Sequence, residues 1–264
     1  MSAVVTTTMT STCHPSCATS QFRAGILADM TAVVRRVTTT RAGGVSAPPF
    51  DTFNLGDHVG DDPAAVAANR ARLAKAIGLG ESRVVWMNQV HSDHVEFVEN
   101  PPSRAFDDTD ALVTATPRLA LAVVTADCVP VLMADARAGV VAAVHAGRVG
   151  AQKGVVPRTL DAMVKAGAHA EDVSVLLGPA VSGRNYEVPA EMADEVEAVL
   201  PGSRTVTAKG TPGLDLRAGI ARQLMDLGVT AISVDPRCTA ADPALFSHRR
   251  DAPTGRLACL VWLQ

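Results

Sequence analysis

Three short stretches place residues with useful chemistry at the edges of apolar runs: His91 in NQVHSDHV (88–95), Cys128 in TADCVPV (125–131) and His145 in AAVHAGR (142–148). One cysteine and two histidines allow three readings. Cys128 could be a nucleophile with His145 as its base. The three side chains could be ligands that leave a fourth position open, which is the ligand count of a catalytic zinc site. Each could also be a packed strand end, since unpaired cysteine is among the most buried residue types. Separations of 37 and 17 residues match no short metal signature, so spacing leaves all three open.

Around them stand further candidates. Asp127 adjoins Cys128 and could act as acid or base, orient a ligand imidazole, or form a salt bridge. Gln89 precedes His91 by two and in an extended strand shares its side, facing a pocket. Asn54, in FNLG, is either a pocket residue or a partner for its own loop backbone. Arg249 and Arg250 in FSHRRD could bind phosphate or a carboxylate, with one of the two, taken as Arg249, facing the site. His58, His94 and His248 are expected to be structural and His169 exposed.

The elements that must position these residues follow from periodicity and punctuation. A helix is expected after Asp62 as N-cap and Pro63 at the first helical position, with Val66, Leu73 and Ile77 on one face and Gly78 as its stop. Residues 83–146 read as a series of short strands punctuated by Pro and Gly. Strands so close in sequence leave no room for crossover helices, so the sheets must be mixed and largely antiparallel, which argues against a doubly wound nucleotide fold. Helices are expected at about 151–167, 190–199 and 215–228, with strands at 173–178, 231–234 and 256–263. Residues 30–264 form one domain, and 1–29, rich in Thr, Ser and Ala, form a disordered tail. Within that tail Cys13, His14 and Cys17 lack the further ligands a metal site needs, and Met30 stands where translation could start.

Composition narrows the partners. Aromatic residues are 3% of the chain and the net charge is -3, with no basic block, so neither nucleic acid nor a membrane surface is an expected partner. No apolar run reaches the roughly 18 residues a spanning helix needs. Five cysteines at irregular spacing suit reduced thiols, and the expected location is cytoplasmic. The oligomeric expectation is a monomer or weak homo-oligomer.

Taken in order, TTTRAGGVSAPPFDTFNLGDHVGDD, QVHSDHV, DALVT, ADCVPVLMAD, GVVAAVHAG, LGPAVSGRNYEV and FSHRRD-x-x-TGR resemble the bacterial laccase-domain or multicopper polyphenol oxidoreductase family, also known as purine nucleoside phosphorylases and peptidoglycan editing factors. The resemblance runs from about 34 to 264. It implies an α+β domain in α/β/β/α layering, with zinc held by His91, Cys128 and His145. It further implies phosphorolysis of adenosine, inosine and methylthioadenosine, with adenosine deamination at the same site, so the implied partners are a purine nucleoside and phosphate. One departure lies beside the site: where the family reads HAGWRG, this chain has Gly147-Arg148-Val149-Gly150, which leaves Arg148 as a candidate to take over part of an arginine role. A second is Ser92, where glycine is common. Three alternatives stand beside this reading. The first is a Cys128/His145 amidase editing peptidoglycan precursors. The second is a copper-dependent polyphenol oxidase, requiring an axial methionine such as Met133. The third is a metal-stabilised binding protein without catalysis.

Overall fold

The computed structural model describes residues 4–6 and 31–264. Two mixed sheets lie face to face, with helices on both outer surfaces, which is the α/β/β/α layering expected. In chain order the elements are β1 (Val4–Thr6), β2 (Val34–Thr39), α1 (Pro63–Ala76), β3 (Val84–Val85), β4 (Val95–Phe97), β5 (Ala111–Thr114), β6 (Ala120–Thr125), β7 (Val129–Asp135) and β8 (Val140–Ala146). They continue with α2 (Arg148–Lys153), α3 (Val155–Lys165), β9 (Ser174–Leu177), α4 (Ala190–Val199), β10 (Arg204–Val206), β11 (Pro212–Leu214), α5 (Leu216–Asp226), β12 (Ala231–Val234), α6 (His248–Asp251) and β13 (Leu257–Leu263). The five-stranded sheet runs β1-β2-β13-β6-β3 and the six-stranded sheet β12-β9-β7-β8-β5-β4. Only β3–β6, β4–β5 and β9–β12 pair in parallel.

Strand alternation builds the layers. On β6, Leu121 and Val123 face the other sheet while Ala120, Ala122 and Val124 pack beneath α1 with Leu73 and Leu260. On β8, Val141 and Ala143 face the inter-sheet core, whereas Val140, Ala142 and Val144 meet Leu160, Met163 and Ile220 of the outer helices. Because the side-chain period in a strand is two, His145 continues the inter-sheet row at the end of β8. Helix α1 starts as expected, with the Asp62 carboxylate accepting from the Ala64 amide at 2.9 Å and Pro63 next in line. No helix among the described residues is long and apolar enough to cross a membrane.

Two expectations change. The helix at 151–167 is two helices, because Gly154 takes φ 87° and breaks the axis between α2 and α3. The strand at 83–90 ends at Val85, since the chain must leave the five-stranded sheet there to enter β4 in the other. Within the segment read as a tail, the backbone of Val4–Thr6 pairs antiparallel with β2. The rest of that expectation, with Cys13, His14, Cys17 and the start at Met30, lies outside the described residues.

Candidate metal centre and cavity

Twice the chain passes from the five-stranded to the six-stranded sheet directly between neighbouring strands, from β3 to β4 and from β6 to β7. Each passage carries one candidate ligand. His91 sits in the first with φ 59°, and Cys128 ends the second directly after Asp127, whose φ is 101°. The passages are stitched together by Gln89, whose amide donates to the Val124 carbonyl at 2.7 Å and accepts from the Val124 amide at 2.8 Å. His145 arrives from the end of β8. The donor atoms of His91, Cys128 and His145 all lie within 4.8 Å of one another, with Cys128 Sγ 3.7 Å from His91 Nε2.

Asp110, at the start of DALVT, organises this cluster. Its Oδ1 lies 2.7 Å from His145 Nδ1 and accepts the His91 amide at 3.0 Å. Oδ2 accepts the Val90 amide at 3.1 Å and both the amide and hydroxyl of Ser92 at 2.7 Å. Burial opposes the charge on Asp110, but hydrogen bonds from His145 and Ser92 outweigh it and hold the carboxyl at about 2. A carboxylate on Nδ1 fixes the tautomer of His145 and presents Nε2 to the cluster, the usual support behind a metal-bound imidazole. Burial likewise pushes the Cys128 thiol up, yet His145 and His91 outweigh it and bring the thiol to about 6. In return, His145 overcomes its own burial through Cys128 and Asp110 and is raised.

Gly147 makes the approach possible. A Cβ there would lie 2.5 Å from His91 Cδ2 and 3.0 Å from Cys128 Sγ, so any side chain would push these two ligands aside. A thiolate and two oriented imidazoles converging in this way form a donor set suited to a zinc ion with one position left open. An isolated cysteine–histidine pair would leave His91 elsewhere. Met133, the methionine considered as an axial copper ligand, is buried on the helix-facing side of β7, and no methionine among the described residues lines the cavity.

The open side of the cluster faces a cavity of about 400 Å³. Its lining includes the guanidinium groups of Arg148, Arg249 and Arg256, none of them in a salt bridge with an acid among the described residues. Arg249 lies 5.0 Å over the ring of Tyr186. Its neighbour Arg250 turns away and is used up on the carbonyls of Thr239, Asp242 and Leu245. One of the two arginines therefore faces the site, and Arg148 does so as well. Gln89 lines the cavity, but both ends of its amide are engaged with Val124.

Two candidates hold other positions. Asn54 is fully buried behind the cavity: Nδ2 donates to the Gly56 carbonyl and to Asp61, and Oδ1 accepts the amides of Gly56 and Arg256. It braces the segment carrying Arg256 and lines no part of the pocket. Asp127, read as an acid or base, borders the cavity with both oxygens committed. Oδ1 accepts the hydroxyls of Thr239 at 2.5 Å and Ser247 at 2.7 Å, and Oδ2 accepts the Arg249 amide at 2.6 Å. The carboxylate that orients an imidazole of the cluster is Asp110, on His145. Sequence reasoning left Asp110, Tyr186 and Arg256 unassigned, although each lies in a quoted motif. It also read His58 and His248 as structural, whereas both line the cavity.

Residues 35–264 match the family described as multi-copper polyphenol oxidoreductase laccase. The chain is 80% identical over 231 residues to a purine nucleoside phosphorylase of Mycobacterium tuberculosis strain H37Rv, covering 88% of this chain and 92% of the relative. It is 57% identical over 232 residues to a purine nucleoside phosphorylase of Corynebacterium glutamicum, covering 87% and 94%. Among solved structures, YlmD from Geobacillus stearothermophilus superposes with a TM-score of 0.83 at 31% identity, covering 90% of this chain and 94% of that one. The Bacillus licheniformis hypothetical protein YfiH gives 0.82 at 30%, covering 88% and 93%.

Proposed function

Since the chain belongs to the multi-copper polyphenol oxidoreductase laccase family, with relatives named purine nucleoside phosphorylase, we propose that it is a zinc-dependent purine nucleoside phosphorylase acting on adenosine, inosine and methylthioadenosine, with adenosine deamination at the same centre. The observation that carries this reading is the opening of a His–Cys–His cluster onto a cavity with three guanidinium groups that no acid among the described residues pairs. His91, Cys128 and His145 would hold the ion. When bound, zinc supplies Lewis acidity and lowers the pKa of water within its reach.

The chain's own groups account for the rest. Phosphorolysis breaks the bond between the ribose C1′ and the base nitrogen, joins C1′ to a phosphate oxygen, and delivers a proton to the departing purine. Arg148, Arg249 and Arg256 supply the charge that holds phosphate in a partly dehydrated site. Burial raises the Tyr186 phenol above its ordinary value, so it keeps its proton at neutral pH and can donate a hydrogen bond. His58 and His248 border the same cavity outside the ligand set and can carry a proton to the base. A low-pKa thiol beside an imidazole would also serve a cysteine hydrolase. The metal reading is preferred because His91 joins the pair and Asp110 aims His145 as a ligand. A cytoplasmic location belongs to the same proposal, motivated by the free thiols of Cys128, Cys238 and Cys259.

The test is metal analysis of the purified protein together with phosphate-dependent release of hypoxanthine from inosine and of ammonia from adenosine. About one zinc per chain and activity lost on chelation are expected. Undiminished phosphorolysis by metal-free Cys128→Ala protein would sink the zinc proposal.

A further inference from the structure

We infer that Asp127 is a positioning residue for the anion-binding side of the cavity: it locks the segment carrying Arg249 to the passage that ends in Cys128, and so sets the affinity for phosphate. The inference rests on the phosphorylase reading of the site. Its basis is the set of groups Asp127 gathers. Thr239 and Ser247 are fully buried, and each spends its single hydroxyl proton on Oδ1. Oδ2 takes the backbone N–H of Arg249. The main-chain oxygen of Asp127 accepts the Val181 amide at 3.0 Å, and the Thr239 amide reaches the Ala180 carbonyl at 3.1 Å. Three segments of chain, around residues 181, 239 and 247–249, therefore converge on this one residue, the last two of them on its side chain.

The bond pattern determines what the clamp holds. Ser247 Oγ donates to Asp127 and also accepts the Arg250 amide at 3.2 Å, starting α6. Arg250 fastens the same turn from outside through the Thr239, Asp242 and Leu245 carbonyls. With its backbone amide on Asp127, Arg249 starts from a fixed point beside the cavity, and its guanidinium lies over Tyr186. Both oxygens of Asp127 are engaged by protein donors, which suits a scaffold and not a proton carrier. An aspartate here also explains the backbone: φ of 101° is a region that side chains rarely adopt, and three hydrogen bonds to a charged group offset that strain.

The test compares wild type with Asp127→Asn and with Ser247→Ala, which leaves Asp127 in place. Phosphate KM, kcat, zinc content, thermal midpoint and inorganic-phosphate binding by calorimetry are measured for each. Asparagine keeps the shape but turns an N–H toward one of the donors. A phosphate KM raised about 10-fold or more is expected, with kcat at saturating phosphate within about 3-fold and zinc content unchanged; Ser247→Ala shifts KM the same way by less. If kcat collapses at every phosphate concentration while KM stays, Asp127 transfers protons and the positioning role is overturned. If only the thermal midpoint moves, the role is structural and the inference is likewise overturned. If wild type binds phosphate but does not cleave inosine, the phosphorylase reading fails. A 10-fold weaker phosphate affinity in Asp127→Asn then still upholds the clamp, and an unchanged affinity refutes it.

Discussion

Asp110→Asn perturbs the His91–Cys128–His145 cluster without replacing any of its three members. The carboxylate accepts five hydrogen bonds, two on Oδ1 from His145 Nδ1 and the His91 amide, and three on Oδ2 from the Val90 amide, the Ser92 amide and the Ser92 hydroxyl. Asparagine accepts on one oxygen only. If its oxygen faces Ser92, its NH2 faces His145, and the imidazole can answer only by moving its own proton to Nε2, where the metal lone pair should be. If the amide flips, NH2 confronts the N–H groups of Val90 and Ser92. Either way at least two bonds to a buried charge are lost, each worth about 1.5–3 kcal/mol. That is on the order of 3–6 kcal/mol against a typical domain stability of roughly 5–15 kcal/mol. Loss of the group behind a ligand histidine commonly costs about 10–100-fold in metal affinity. Zinc affinity, read by competition with a chelating dye, should fall by that factor, and the thermal midpoint of the metal-free protein should drop by more than about 5 °C. Zinc affinity within about 3-fold of wild type, with an unmoved midpoint, would refute the assignment of Asp110 as organiser.

Gly147→Ala introduces a methyl 2.5 Å from the His91 ring at a φ of -71° that alanine accepts. Zinc content should therefore fall sharply with little change in far-UV circular dichroism; a fully loaded variant would show that the ring can yield. Asn54→Ala removes four hydrogen bonds behind Arg256 and should cost about 2–4 kcal/mol in urea denaturation, with phosphate KM rising more than nucleoside KM. Equal effects on the two KM values would contradict a brace confined to the anion side. Asp57 is held down from the ordinary 3.8 to about 2, first by the His58 imidazole 3.7 Å away and then, against burial, by Arg70. A carboxylate lowered in the folded state gives stability that is present above about pH 4 and lost as pH falls toward 2. The acid limb of the urea midpoint should flatten in that window in Asp57→Asn, and an unchanged limb would remove this contribution.

Much of the site could be read in the residues, and the failures have physical causes. His91, Cys128 and His145 were recognisable as metal-type donors at strand ends, but only the fold brings residues so far apart in sequence together, and the family resemblance supplied that convergence. The period of two along β8 accounts for the face that His145 takes once the strand is in place. Arg249, and not Arg250, faces the cavity because the second guanidinium finds three carbonyls behind it, a choice that no local pattern encodes. Asn54 bonds its own loop at Gly56, the alternative its residue type offered, but its bond to Arg256 and those of Asp127 to Thr239 and Ser247 run to residues more than a hundred positions away. Asp110 was missed because its partners, at Val90 to Ser92 and at His145, lie on other segments, although the acid opening a wholly buried strand, DALVT, was the available signal: a charge there must have partners. The break at Gly154 and the short β3 reflect tertiary demands that override helix and strand propensity.

Two of the three ligands ride on the segments where the chain changes from one sheet to the other, and the third on a strand whose inward face meets the opposite sheet. The spacing of the donors is therefore a property of how the two sheets are seated, set by Leu112, Leu121, Leu132 and Val261 between them. A truncation such as Leu121→Ala, which leaves a void in that layer, lets one sheet settle against the other and changes the distance the ion must bridge. Variation far from the mouth would thus tune which ion such a cluster could hold and how firmly, while the three side chains that face it stay the same.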